Sequence, residues 1–226
     1  MSDFASLIAV LEQHYGRPSP PARRDPFELV LYENIAYLVS DDRREKAFRE
    51  LKQRIGTSPA DLLTASLEDL AAITALGGIF PELRARRLQE SARLVRDEFG
   101  GDLNRVLKLD FVKARKALSK FPAIGIPGAE KILLFAKAHP SLALESNGVR
   151  VLTRYGFAKE QKSYSTTYRA VQKSLAGQIP STCPPLIAAH QLLKLHGQTL
   201  CRRSKPNCRA CPVRQGCASR GTGFSL

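Results

Sequence analysis

The stretch Cys201-Arg-Arg-Ser-Lys-Pro-Asn-Cys208-Arg-Ala-Cys211-Pro-Val-Arg-Gln-Gly-Cys217 gathers four of the five cysteines into seventeen residues, spaced C-x6-C-x2-C-x5-C. Thiolates this close repel one another. A soft metal centre removes the repulsion by binding each sulfur as the deprotonated ligand. Two disulfides are the competing reading, but the Met-Ser-Asp start carries no basic-then-apolar signal toward an oxidising compartment. The spacing is a strong metal-site signal. It accepts either zinc or an iron–sulfur cluster, since both take four cysteines. The fifth cysteine, Cys183 in Ser-Thr-Cys-Pro-Pro, reads as a packed or idle thiol.

At 226 residues the chain is long enough to bury a full core. Its 35 Lys and Arg against 21 Asp and Glu give a formal net charge of +14. That excess exceeds what solubility needs and predicts an anionic partner, of which nucleic acid is the commonest large one. No apolar run reaches membrane-spanning length. The expectation is a soluble, monomeric, cytoplasmic protein with no membrane partner, associated with the nucleoid in a bacterial cell.

Upstream, helix follows helix. Phe4, Leu7, Ile8 and Leu11 share one face of a segment from Asp3 to Tyr15, which Gly16 stops. A proline-rich linker, 17–25, follows. Apolar periodicity predicts helices over Pro26–Ser40 and Asp41–Gly56. Ser58-Pro59 and Ser66-Leu-Glu-Asp69 mark further helix starts. After Leu76-Gly-Gly-Ile-Phe80 comes a basic amphipathic helix, Pro81–Phe99, with Arg84, Arg86 and Arg87 early in it. Two short segments fill Leu103–Leu118, a polar helix pair Ala158–Leu175, and a last helix Pro180–Leu200. No alternating strand pattern occurs, so the class is all-α.

Phe121-Pro-Ala-Ile-Gly-Ile-Pro-Gly128 places two glycines and two prolines between apolar helical patterns. This predicts a helix–hairpin–helix turn, with Pro127 at the start of the new helix, where no N–H is required. Backbone N–H groups at such a turn favour a phosphate oxygen, and an ordinary interhelical turn is the plain alternative. Glu145 precedes a helix starting near Val149 and reads as its N-terminal cap.

These residues together resemble the endonuclease III and MutY group of DNA glycosylases, the helix–hairpin–helix–GPD superfamily, over nearly the whole chain. The hairpin matches Phe121–Ala129, the Val-Asp-Thr-His segment matches Leu144-Glu-Ser-Asn147, and the cysteine loop matches in spacing. The resemblance implies a [4Fe–4S] cluster on Cys201, Cys208, Cys211 and Cys217. It implies two lobes: a six-helix barrel over 25–136, and a cluster domain over 137–226 on which the N-terminal helix and linker, 1–24, pack. It also implies double-stranded DNA as partner. The hairpin at Gly125 and Gly128 and the loop residues Arg202, Arg203 and Lys205 would hold its backbone.

The departures from that pattern concern chemistry. Where bifunctional members carry a catalytic lysine, an ungapped match puts Pro127, which has no amine to form a Schiff base. Lys131, one turn on, is expected to contact phosphate or solvent. The superfamily's catalytic aspartate is Glu145 here, one methylene longer. The glutamine inserted into the duplex becomes Leu38, with Tyr37 beside it; the alternative buries both in an apolar helix. Glu33 falls where the MutY branch has the glutamate that protonates the departing base.

The expected activity is therefore a monofunctional DNA glycosylase using Glu145 and Glu33. The alternatives are a catalytically impaired homologue that binds DNA lesions or structures, and a bifunctional glycosylase/lyase using Lys131. The lesion is not encoded in any motif.

Overall fold

The computed structural model describes residues 3–20 and 22–220. Among these residues there are helices and no strands; the single β-bridge joins Tyr37 to Gly78. The chain divides into two compact units: the described residues of 1–21 with 139–226, and residues 22–138.

The larger unit runs α2 (Pro26–Asn34), α3 (Asp41–Arg54), α4 (Pro59–Thr64), α5 (Leu67–Leu76), α6 (Pro81–Phe99), α7 (Asn104–Leu107), α8 (Phe111–Leu118) and α9 (Ile126–Phe135). Short polar side chains start these helices as the sequence indicates. Asp25, Ser40, Ser58, Ser66 and Asp110 each accept a backbone N–H of the first turn. α6 buries Ala85, Leu88, Ala92 and Val95, spaced along one face. They join Phe27, Val30, Leu31, Phe48, Leu51, Leu70 and Ile73 in one core. Each large side chain taken fully from water there contributes roughly 1.5–3 kcal/mol.

The smaller unit holds α1 (Phe4–Tyr15), α10 (Ser146–Tyr155), α11 (Tyr164–Ser174) and α12 (Cys183–Thr199). α1 and α10 both pack on α12. Phe4, Leu7 and Leu11 of α1 are buried, as are Val149, Val151 and Leu152 of α10 and Leu186, Leu192 and Leu193 of α12. Cys183, at the start of α12, is buried and forms no disulfide.

Two sequence expectations change. The helix expected over Pro26–Ser40 stops at Asn34. Tyr37 N–H donates to the Gly77 carbonyl at 2.9 Å, which draws the chain out of the helix, and Leu38 turns left-handed at φ 55°. The expected helix pair over 158–175 is one helix. Ser163 and Thr166 form a reciprocal cap that fixes its start at Tyr164.

Candidate functional site

In the larger unit, two loops meet. One carries Tyr37 and Leu38, the other Ile79 and Phe80. All four are exposed, Leu38 at 76% and Phe80 at 59%. The reading that buried Tyr37 and Leu38 in an apolar helix is thus overturned. Leu38 and Phe80 both hold positive φ, 55° and 57°. Non-glycine residues occupy this region at a cost of order 1–3 kcal/mol each, and such strain clusters at binding sites. Tyr32 does not join them. It is half-buried, with the Arg23 guanidinium 4.1 Å from its ring centre and the Phe48 ring 5.5 Å away. Burial, and then the charge of Glu45, push its phenol up to about 12.

The hairpin joins α8 to α9. Ala123 sits at φ 58° in the turn, and Gly125 caps α9 with Pro127 in the first turn. Gly125 is extended rather than left-handed. A Cβ on Gly125 would find nothing nearer than Pro127 Cδ at 3.8 Å, and one on Gly128 nothing nearer than Ile124 at 3.5 Å. The protein's own packing therefore leaves room for a side chain at both. Glycine there keeps the backbone N–H groups of the helix start open to a close ligand.

Lys131 lies one turn beyond Pro127 on the same side of α9. Its Nζ donates to Glu33 Oε2 of α2 at 2.7 Å, and both side chains are mostly buried. The expectation of a solvent-facing lysine is corrected: the register of α9 turns its ammonium onto a carboxylate. Glu33 is likewise neither an isolated acid nor an exposed one.

In the smaller unit, Glu145 caps α10. Oε1 accepts the Gly148 N–H at 3.0 Å, and Oε2 accepts Asn147 Nδ2 at 2.7 Å. Asn147 Oδ1 in turn accepts Arg150 Nη2 at 2.6 Å, and Arg150 Nε donates to the Cys201 carbonyl at 2.9 Å. Glu145 is thus connected to the first cysteine through two side chains. Near it, the Tyr164 hydroxyl donates to the Leu144 carbonyl at 3.4 Å. Burial first, then the charge of Glu145, push that phenol up to about 12.

Cys201, Cys208, Cys211 and Cys217 line one pocket with Val151, Tyr155, Leu200 and Val213. Burial, and further the neighbouring cysteines, hold the Cys211 and Cys217 thiols above the ordinary range. A bound cation is what converts such sulfurs to thiolates. Among the described residues, no three His, Cys, Asp or Glu side chains draw together as the ligands of one ion. The four cysteines line the same pocket, a donor set of soft sulfurs that suits a soft metal centre. Arg154 orders the loop by donating to the carbonyls of Arg202 at 2.7 Å and Arg203 at 3.0 Å. His196 Nε2 lies 3.6 Å from Cys211 Sγ, and its Nδ1 lies 3.0 Å from the Tyr15 hydroxyl. Arg202, Arg203 and Lys205 are exposed.

Sequence reasoning gave no role to Arg150, Arg154 or His196. The bare pattern Arg150-x-x-x-Arg154 leading from a capping glutamate was the available signal.

The chain is similar to several characterised proteins. Endonuclease III of Bacillus subtilis (strain 168) is 24% identical over 193 residues, covering 85% of this chain and 81% of its own. Endonuclease III of Escherichia coli (strain K12) is 23% identical over 192 residues, covering 85% and 83%. A trapped covalent intermediate of endonuclease III with DNA superposes with a TM-score of 0.78 at 22% identity, covering 98% of this chain and 99% of that one. A thermostable thymine-DNA glycosylase gives 0.75 at 18% identity, covering 97% of each chain. The family model for HhH-GPD superfamily base excision DNA repair proteins matches residues 39–176, more than half the chain, and the protein belongs to that family.

Proposed function

We propose that this chain is a monofunctional DNA glycosylase that hydrolyses the N-glycosidic bond of a flipped damaged or mismatched base. The ion pair between Lys131 and Glu33 carries the distinction from a lyase. An ammonium engaged by a carboxylate has no lone pair with which to attack C1′, and Pro127 offers no amine at all. Water is then the nucleophile.

Each residue has a part. Glu145 presents a fixed carboxylate, held by Gly148 and Asn147, to the positive charge that develops on the sugar. Two donors hold the extra methylene in one place, which answers the positioning problem of a glutamate replacing aspartate. Glu33 stands beside the departing base as its general acid, its proton drawn from solvent, while Lys131 stays an ammonium next to it. Gly125 and Gly128 take a phosphate, and Leu38, with Tyr37, fills the space the flipped base leaves. Arg202, Arg203 and Lys205 hold the backbone with marked salt dependence.

Cys201, Cys208, Cys211 and Cys217 hold a [4Fe–4S] cluster in this reading. When bound, it supplies four iron–sulfur bonds that cross-link the loop. Arg154, through the Arg202 and Arg203 carbonyls, sets where the loop's basic side chains start.

The second reading, a lyase through Lys131, is favoured by its place on the Pro127 side of α9, within one turn. Duplexes carrying a panel of damaged and mismatched bases discriminate. Strand cleavage that needs hot alkali, with no borohydride-trapped adduct, supports the monofunctional enzyme. Cleavage without alkali and with an adduct supports the lyase. Binding with no base release anywhere leaves a lesion-binding homologue.

A further inference from the structure

Arg84 lies on α6 and is 2% exposed. Its nitrogens donate to three backbone carbonyls: Nε to Ile79 at 2.9 Å, Nη1 to Ile35 at 2.5 Å, and Nη2 to Gly78 at 2.6 Å. The first and third belong to one apolar loop, the second to the other. Burial first, and then Arg44, Arg43 and Arg87, hold this guanidinium below its usual range. A buried charge among like charges is expensive. Leucine or methionine would fill the same volume without that cost.

What the arginine supplies is a side-chain joint between two loops that also meet through their backbones, Tyr37 N–H donating to the Gly77 carbonyl at 2.9 Å. Tyr37 and Gly78 form the isolated bridge, and Gly77 abuts the first loop directly. A Cβ on Gly77 would lie 2.2 Å from the Ile35 carbonyl oxygen and 2.7 Å from Arg84 Nη1. Beyond the joint, the loops carry Tyr37, Leu38, Ile79 and Phe80 out into solvent, with Leu38 and Phe80 in strained backbone. Strained and exposed apolar residues both disfavour the free protein. They are held for something that covers them, and the cluster of arginines around the joint selects a polyanion with an apolar interior, the base stack of a duplex.

We propose that Arg84 is a positioning residue that clamps the 35–38 and 77–80 loops into one rigid wedge, so that Leu38 and Phe80 enter the duplex together. This rests on the glycosylase reading. Without the clamp each loop must be ordered on binding, and that cost falls only on the duplex that admits the wedge.

The test uses the full chain and fluorescence anisotropy on two duplexes, one undamaged and one with a tetrahydrofuran abasic analogue. A 2-aminopurine beside the analogue reports unstacking. Arg84→Met is expected to keep the helical circular dichroism and to bind undamaged duplex within about twofold of wild type. It loses about tenfold in preference for the abasic duplex, together with the 2-aminopurine rise. Leu38→Ala gives the same selective loss, and combining the two adds little, because both act through one wedge. Arg84→Lys, which keeps the charge but not the three-way fork, is the second variant. If the methionine variant does not fold, the lysine variant must show the selective loss. Equal losses on both duplexes, no loss, or full additivity with Leu38→Ala would overturn the clamp. A wild-type protein that does not prefer the abasic duplex instead removes the glycosylase reading, and the clamp with it.

Discussion

Lys131 and Glu33, 98 residues apart in the chain, meet at 2.7 Å and tie α9 of the hairpin to α2. The pair sets which way the lysine faces, one turn beyond Pro127. Its energetic coupling is measurable. With both side chains mostly buried, it lies between an exposed pair and a fully buried one, about 1–2 kcal/mol. A double-mutant cycle with Glu33→Gln and Lys131→Met in urea unfolding should return that coupling. A value near zero would mean that the contact does not persist in solution.

Asn147 is the donor that holds the second oxygen of Glu145. Asn147→Ala frees the carboxylate to rotate and leaves Arg150 Nη2 without its side-chain acceptor. Base release in single turnover should fall by about tenfold or more, with duplex affinity unchanged, since a misplacement of about 1 Å costs of this order. A loss confined to affinity would assign Asn147 to binding instead.

Tyr32 and Tyr164, two of the six tyrosines, both have phenols pushed up to about 12. A raised folded-state value means the unfolded chain ionises first. The stability these groups contribute is complete below about pH 10 and is lost as the pH rises toward 12. Unfolding midpoints should therefore drop over that window. Tyr164→Phe should flatten the drop, and phenolate absorbance should show Tyr32 and Tyr164 among the groups that titrate late. A midpoint independent of pH over the window would contradict the burial of both rings.

In the proposed cluster, one loop cysteine carries a quarter of the attachment. Cys208→Ser should lower the iron and sulfide content below four each per chain and bleach the visible absorbance. It should also weaken DNA binding and reduce its salt dependence, as Arg202, Arg203 and Lys205 lose their common scaffold. Undiminished iron in the variant would exclude Cys208 as a ligand.

Local chemistry made part of this legible in the sequence. The spacing of Cys201 to Cys217, the glycine–proline turn at Phe121–Gly128 and the capping role of Glu145 each depend on residues within a few positions of one another. Contacts between distant segments were not legible. Ile35-Ala-Tyr-Leu-Val39 is apolar enough to continue a helix, and the backbone bond to Gly77 and the fork of Arg84 pull it outward. Arg84 itself reads like Arg86 and Arg87, because charge alone does not say which member of a basic helix turns inward. Lys131 looked like a surface lysine for the same reason.

The central claim is that the Glu145 carboxylate supports hydrolysis with water as nucleophile. Single-turnover base release from a cleavable lesion duplex, with wild type and Glu145→Gln assayed side by side under hot alkali and under borohydride, tests it most directly. The account predicts alkali-dependent cleavage and no adduct for wild type, and a loss of at least about a hundredfold for the variant, which still binds the duplex. Unchanged release by Glu145→Gln, or a borohydride adduct that disappears in Lys131→Met, would contradict it.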